Sequence, residues 1–291
     1  MSFSTLLLVT LLTTVITTMA TVSSTTNLTS ILIPLYIYPT PGAWDPLYRV
    51  ITAYPTQPFT IIVNPDSGPG PKRFPDESYR EGITKLKAFK NVRIIGYVHV
   101  SYTARKLEDV CQDIDRYVGW DEYKSGKISV DGIFVDEAPE DVGKDDISLR
   151  YMQKVRKRIS ARFHRIGKSG FTMINPGVIA DKRFYEATAD AVVSYEDRLV
   201  NYYAPGKLQT SKDQNKSPET PPKMQAIIVT SVDGSDARER YLLKKVVERR
   251  IGFVYFTTDL DYQKFGTDLV LLVDKVARSN GLVRKRTALS L

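Results

Sequence analysis

Apolar residues in this chain fall into short unbroken runs, separated by stretches in which they recur every three or four positions. The runs are Ile31–Tyr38, Phe59–Asn64, Val92–Val100, Asp131–Asp136, Phe171–Asn175, Ala189–Tyr195, Met224–Thr230 and Gly252–Thr257. Their β-branched and aromatic content marks them as strands rather than buried helix. Runs that are continuous rather than alternating belong to strands covered on both faces, as in a parallel sheet.

The intervening segments have helical spacing. Asp45 before Pro46 reads as an N-cap with proline at the first helical position, and Pro55 ends that helix near Tyr54. Asp76 caps a helix carrying Tyr79, Ile83 and Leu86, and Leu107, Val110, Ile114, Tyr117 and Val118 stripe the next. A basic helix, Arg150 to Lys168, has Met152, Val155, Ile159, Phe163 and Ile166 on its apolar face. A short fifth helix spans Asp181–Thr188. The sixth connection combines Arg198–Tyr203 with a polar insert, Gly206–Lys223, and Asp236–Arg249 and Asp268–Ser279 complete the series. Eight strand–helix repeats in about 250 residues predict an α/β fold, a single-domain (β/α)8 TIM barrel over residues 31–280. The rival, an open doubly wound sheet, wants a glycine-rich phosphate turn after its first strand, and Pro39 to Trp44 contains no such pattern.

The ends read differently. Leu6 to Ile16 is apolar and Thr18-Met19-Ala20 offers small residues for cleavage, so residues 1–20 read as a signal peptide, although the positive n-region is missing; an uncleaved anchor or tail is the alternative. Residues 21–30 read as a Ser/Thr-rich linker in which Asn27 is a glycosylation acceptor; Asn215, with Pro218 after its sequon, is a weaker one. Residues 281–291 form a basic tail. These features predict a secreted, cell-surface or wall protein with no stable membrane span after cleavage. Cys111, the single cysteine, excludes an internal disulfide and reads as a buried, inert thiol. The net charge of +8 gathers on the basic helix and the tail. A solvated outer face explains it, with contact to an anionic wall or membrane surface as the alternative.

The chemistry sits where strands end. Strand four empties into Asp136-Glu137 and strand six into Glu196-Asp197, and in barrels these carboxyl ends share one mouth. Tyr38, Asn64, His99, Tyr102, Asn175, Tyr195 and Asp259 join them there as candidate substrate-binding residues: rings stack on sugar faces, and amides bond hydroxyls. No strand end carries Lys or Arg, which argues against phosphate or nucleic acid in the mouth. Structural readings exist for each: Asp136 and Glu137 as loop caps, Glu196 as partner of Arg198, His99 as a hydrogen-bonded core histidine, Asn64-Pro65 and Asn175-Pro176 as turn chemistry. His99 and His164 have no zinc-ligand spacing, the acidic loop Asp136–Asp146 lacks an EF-hand pattern, and neither a GxSxG elbow nor a P-loop occurs, so no metal or cofactor is expected. Paired carboxylates on one rim are the requirement of glycoside hydrolysis, with retention at about 5–5.5 Å separation and inversion at about 6.5–9.5 Å. Asp136 is favoured as nucleophile, Glu196 as acid/base and Glu137 as electrostatic support. Strand alternation would send Asp136 and Glu137 to opposite sides unless the strand ends between them.

The opening Leu32-Ile33-Pro34-Leu35-Tyr36-Ile37-Tyr38-Pro39 and Gly42-Ala43-Trp44-Asp45-Pro46, then Val63-Asn64-Pro65, Gly96-Tyr97-Val98-His99, Asp131 to Glu137, Asn175-Pro176-Gly177 and Tyr195-Glu196, resemble the spherulation-specific family 4 (spherulin-4-like) proteins from about Ile31 to Leu272. That resemblance implies a secreted (β/α)8 glycoside hydrolase of family 135. Its expected substrate is galactosaminogalactan, cleaved at α-1,4-linked N-acetylgalactosamine, and the essential acids fall on Asp136, Glu137 and Glu196. Thr230 stands where relatives are expected to have histidine, and the segment after Asp261-Tyr262 lacks an expected aromatic. Family 18 chitinases share Asp131, Gly132 and Asp136, but Phe134 and Ala138 replace two acids of their motif, which argues against substrate-assisted catalysis. The leading expectation is an endo-acting, monomeric hydrolase of a hexosamine-containing wall or biofilm polysaccharide. A non-catalytic glycan-binding surface protein is the alternative, and a basic membrane- or nucleic-acid-associated barrel a third.

Overall fold

The computed structural model describes residues 28–202, 220–232 and 237–285. Residues 1–27, with Asn27 and the expected signal peptide, lie outside the described residues, as do Asn215, most of the polar insert and the end of the basic tail.

Eight parallel strands close on themselves: β1 (Ser30–Leu35), β2 (Phe59–Val63), β3 (Val92–His99), β4 (Gly132–Asp136), β5 (Phe171–Ile174), β6 (Ala191–Arg198), β7 (Gln225–Thr230) and β8 (Phe253–Phe256). Closure is made by Ser30 opposite Phe253 and Ile31 opposite Val254. The helices are α1 (Asp45–Ala53), α2 (Glu77–Leu86), α3 (Leu107–Gly119), α4 (Ile147–His164), α5 (Lys182–Ala187), α6 (Leu199–Tyr202), α7 (Ala237–Glu248) and α8 (Leu269–Ser279). The expected barrel is the observed fold. Its core is continuous from Ile31 through Phe134 to Val276, because strands covered on both faces bury successive side chains along most of their length.

Boundaries differ where caps and turns compete. Asp76 caps α2 as expected, accepting from the Tyr79 amide at 3.0 Å. Asp45 does not cap α1: it is already the first helical residue, and Trp44 occupies the cap position. The indole N–H of Trp44 donates instead to the Ile37 carbonyl at 2.9 Å, so burial of the ring sets the helix start. β1 ends at Leu35, three residues before Tyr38. Cys111 is half-buried rather than buried, because the apolar stripe of α3 passes beside it through Val110, Ile114 and Tyr117; burial still pushes its thiol pKa up.

The basic face of α4 is only partly a solvated surface. Arg156 pairs with Asp190 at 2.6 Å, and Arg158 and Arg162 both pair with Asp115 of α3, while Lys154 and Lys157 remain exposed. No helix of the described residues is long and apolar enough to cross a membrane.

Candidate active site

β4 ends at Asp136, and Glu137 follows in the left-handed region at φ 52°. The strand therefore stops between the two acids, and both carboxylates reach the mouth. Ser101, Tyr102 and Thr103, just after β3, are also left-handed, at φ 46°, 52° and 78°. Non-glycine residues pay about 1–2 kcal/mol each for that region, and such strain gathers at functional sites. Here two backbone bonds hold it: Val100 N–H to the Asp136 carbonyl at 3.0 Å and Tyr102 N–H to the Glu137 carbonyl at 2.7 Å.

Asn175 stands at the centre. Its Nδ2 donates to Asp136 Oδ1 at 2.8 Å and to Glu196 Oε2 at 2.6 Å, so these two oxygens are at most about 5.4 Å apart, the two bonds laid end to end. The amide orientation follows from Gly177 N–H, which donates to Asn175 Oδ1 at 2.9 Å. Gly177 takes φ 71°, a turn that glycine makes without strain, and its carbonyl accepts from the Glu196 amide at 2.9 Å. A bulge between Val193 and Tyr195 lies just before Glu196 in β6; bulges re-aim side chains and recur beside active sites.

The remaining oxygens are taken by phenols. Tyr97 donates to Asp136 Oδ2 at 2.7 Å, and Tyr262 donates to Glu196 Oε1 at 2.6 Å. The Tyr36 ring meets both phenols edge-on, with centroids 5.7 Å from each. Every donor is neutral, and among the described residues neither Asp136 nor Glu196 pairs with Lys or Arg. Burial therefore dominates and pushes both carboxyls above their usual range; for Glu196 the Tyr262 and Asn175 bonds pull the other way and the Asp136 charge adds to the rise. Burial, with the neighbouring carboxylates, likewise drives the phenols of Tyr36, Tyr97 and Tyr262 up, so they remain donors. Glu137 is more open, accepting from Ser101 Oγ at 3.0 Å with His99 Nδ1 at 3.6 Å.

The other expected site residues scatter. Tyr38 is 49% exposed on the outer rim, its hydroxyl on Asp76 at 3.2 Å, and Tyr102 is 67% exposed near Glu137. Asn64 closes the loop after β2 by accepting from Gly68 N–H at 2.9 Å. Tyr195 turns away from the mouth, packing on Tyr202 and donating to the Arg198 carbonyl at 2.9 Å. Asp259 is buried beyond β8, 3.8 Å from Lys264 through one oxygen and with no hydrogen-bond partner at the other. Tyr36, Tyr97, Ser101 and Tyr262 were not singled out from sequence. Tyr97 was within reach: it lies two residues before His99, on the same side of β3. Tyr262 was not, because a loop after β8 carries it to β6.

No group of three or more metal-binding side chains occurs among the described residues. Two half-buried acids without an ion-pair partner and a third, more open one can shuttle a proton and stabilise developing positive charge, with phenols and one amide holding their geometry.

A closed (β/α)8 barrel whose C-terminal mouth gathers carboxylates from β4 and β6 defines a broad architectural class. Within it, the chain belongs to the spherulation-specific family 4, whose profile matches residues 30–276. It is 38% identical over 181 residues to spherulin-4 of Physarum polycephalum, a match spanning 60% of this chain and 48% of that protein, about half its length. Sph3 of Aspergillus clavatus, solved in complex with GalNAc, is 31% identical with a TM-score of 0.76, covering 87% of this chain and 99% of that one. A family 18 N-acetylglucosaminidase from Paenibacillus barengoltzii matches at TM-score 0.52 and 11% identity over 87% of this chain and 99% of its own, a likeness of fold alone.

Proposed function

We propose that this chain is a secreted, endo-acting glycoside hydrolase. Its substrate is a hexosamine-containing wall or biofilm polysaccharide of the galactosaminogalactan type, cut at α-1,4-linked N-acetylgalactosamine. The observation that carries the reading is the shared Asn175 amide. It brings one oxygen of Asp136 and one of Glu196 to within about 5.4 Å of each other, a closeness that supports double displacement with retention over the wider arrangement that admits a water molecule. GalNAc bound by the 31% identical Sph3 supports the sugar class.

In this mechanism Glu196, its proton favoured by burial, protonates the leaving glycosidic oxygen. Asp136 attacks the anomeric carbon, and Glu196 then deprotonates the water that releases the sugar. Glu137 stabilises the oxocarbenium-like transition state from the exposed side. An α-linked 2-acetamido sugar carries its acetamido group cis to the leaving group, so it cannot attack from behind, and cleavage with retention therefore calls for an enzymic nucleophile.

The test is hydrolysis of galactosaminogalactan by the wild type and by Glu196→Gln, with products read by mass spectrometry and the anomer by NMR. Wild type should release oligosaccharides of retained configuration, and the variant should be slower by about 10²-fold or more. Full activity in Glu196→Gln removes the acid/base role. The exposed rings of Tyr38 and Tyr102 at the rim favour a second reading, a glycan-binding surface protein. Binding without any product from wild type, persisting in Glu196→Gln, would select it.

A further inference from the structure

The opposite, N-terminal end of the barrel carries a second recess, of about 930 Å³. Its charged lining is one-sided: Lys87, Lys90, Arg93, Lys223 and Arg250 face a single carboxylate, Asp131. That carboxylate is already engaged, by Lys87 at 2.9 Å and by Lys168 at 3.3 Å. Arg93 lies over the Phe171 ring at 4.2 Å, which holds its guanidinium at the opening. Lys90, Lys223 and Arg250 are exposed and form no ion pair among the described residues.

We infer that this recess binds a polyanionic glycan strand, a polysaccharide bearing carboxylate, sulfate or phosphate groups, and so tethers the protein in an anionic matrix with its catalytic mouth facing away. Three observations favour a strand. The free cations come from separate loops, before β3, before β7 and before β8, and line one recess, an arrangement that suits an anion carrying several charges along its length. The recess is concave, and a flat bilayer surface cannot fill it. Its wall residues Leu28 and Leu282 offer apolar surface against which the C–H face of a sugar packs. The site lies apart from Asp136 and Glu196, so it does not depend on the hydrolytic reading.

The experiment measures binding of the full chain to polygalacturonate and to dextran sulfate, with neutral dextran as control, at low and high salt. Wild type should bind one or both anionic glycans, bind neutral dextran at least tenfold more weakly, and lose affinity as salt rises, as counterion release requires. Which of the two binds distinguishes carboxylate from sulfate recognition. Lys90→Glu/Lys223→Glu should weaken that binding at least tenfold. Lys154→Glu/Lys157→Glu, an equal charge change on exposed positions of α4, should leave it within twofold. Both double variants alter exposed side chains, and an unchanged unfolding midpoint confirms that each is folded. Equal losses in the two variants overturn the proposal, as does failure of wild type to bind either glycan. Tighter binding of poly-L-glutamate or of phosphatidylserine vesicles than of both glycans also overturns it, in favour of a peptide or a membrane.

Discussion

Tyr262 donates its hydroxyl to Glu196 Oε1 at 2.6 Å, joining the loop after β8 to the end of β6 across 66 residues. A hydrogen bond to an ionised carboxylate favours ionisation, so this phenol restrains the rise that burial imposes on Glu196. The proton on Glu196 is thus set by a balance between the two.

Tyr262→Phe tests that balance. Losing the donor moves the Glu196 pKa further up, and the limb of the pH–kcat profile on which the acid loses its proton should move to higher pH. The carboxyl also loses an anchor, so kcat should fall about tenfold, part of the full worth of a general acid. A profile that does not move, with kcat unchanged, would show that the phenol only fills space.

Asn175 satisfies one oxygen on each acid, and its removal should be felt in both stability and rate. Asn175→Ala leaves one oxygen of each half-buried carboxylate without that donor, and should cost about 1–3 kcal/mol in urea unfolding. Asn175→Asp adds a third carboxylate between two others; it should lower activity about 10²-fold or more, with the loss deepening as pH rises.

The pH dependence of stability has a definite sign. Asp136 and Glu196 have pKa values raised in the folded protein, so between the unfolded values near 3.8 and 4.5 and the higher folded ones the native state holds more protons than the unfolded state. Their contribution therefore favours folding at low pH and is lost as pH rises through that window. Asp136→Asn and Glu196→Gln remove it. Each variant should gain stability relative to wild type as pH increases from about 4 to 7, measured as the difference in unfolding midpoint. A difference that is flat with pH would mean these carboxyls are not strained by burial.

Gly132 opens β4 against β5, and a Cβ there would stand 2.0 Å from the Phe171 carbonyl oxygen. Backbone cannot yield as a flexible side chain does. Gly132→Ala should destabilise by about 3 kcal/mol or more, at the upper end of overpacking costs, and reduce the soluble folded yield. Asp131 beside it, which matches the chitinase-like pattern, belongs to the base of the barrel rather than the mouth. Burial pushes its carboxyl up, but the Ile94 amide and two lysines outweigh that and hold it below the usual range.

The amino-acid sequence alone determined the barrel and the strand ends that bear the acids. Unbroken runs such as Ile133-Phe134-Val135 can be satisfied only by cover on both faces, and eight of them alternating with helical stripes close into one architecture. Asp136, Glu137 and Glu196 were legible because charge at the end of a buried apolar run has few places to go, although β6 itself continues past Glu196 to Arg198. What those acids touch was decided by the tertiary structure. Strand alternation could not say that Glu137 would turn left-handed and bring both neighbours into the mouth, since four linked residues share that strain. Asn175 looked like turn chemistry or a sugar ligand, and becomes a bridge only because β5 lies between β4 and β6. Tyr195 and Tyr262 look alike in sequence, but β6 turns one toward α6, while closure of the barrel brings the other to Glu196. Hydrophobic pattern is local and survives in one dimension; hydrogen bonds between residues 39, 21 and 66 positions apart exist only once the sheet has closed.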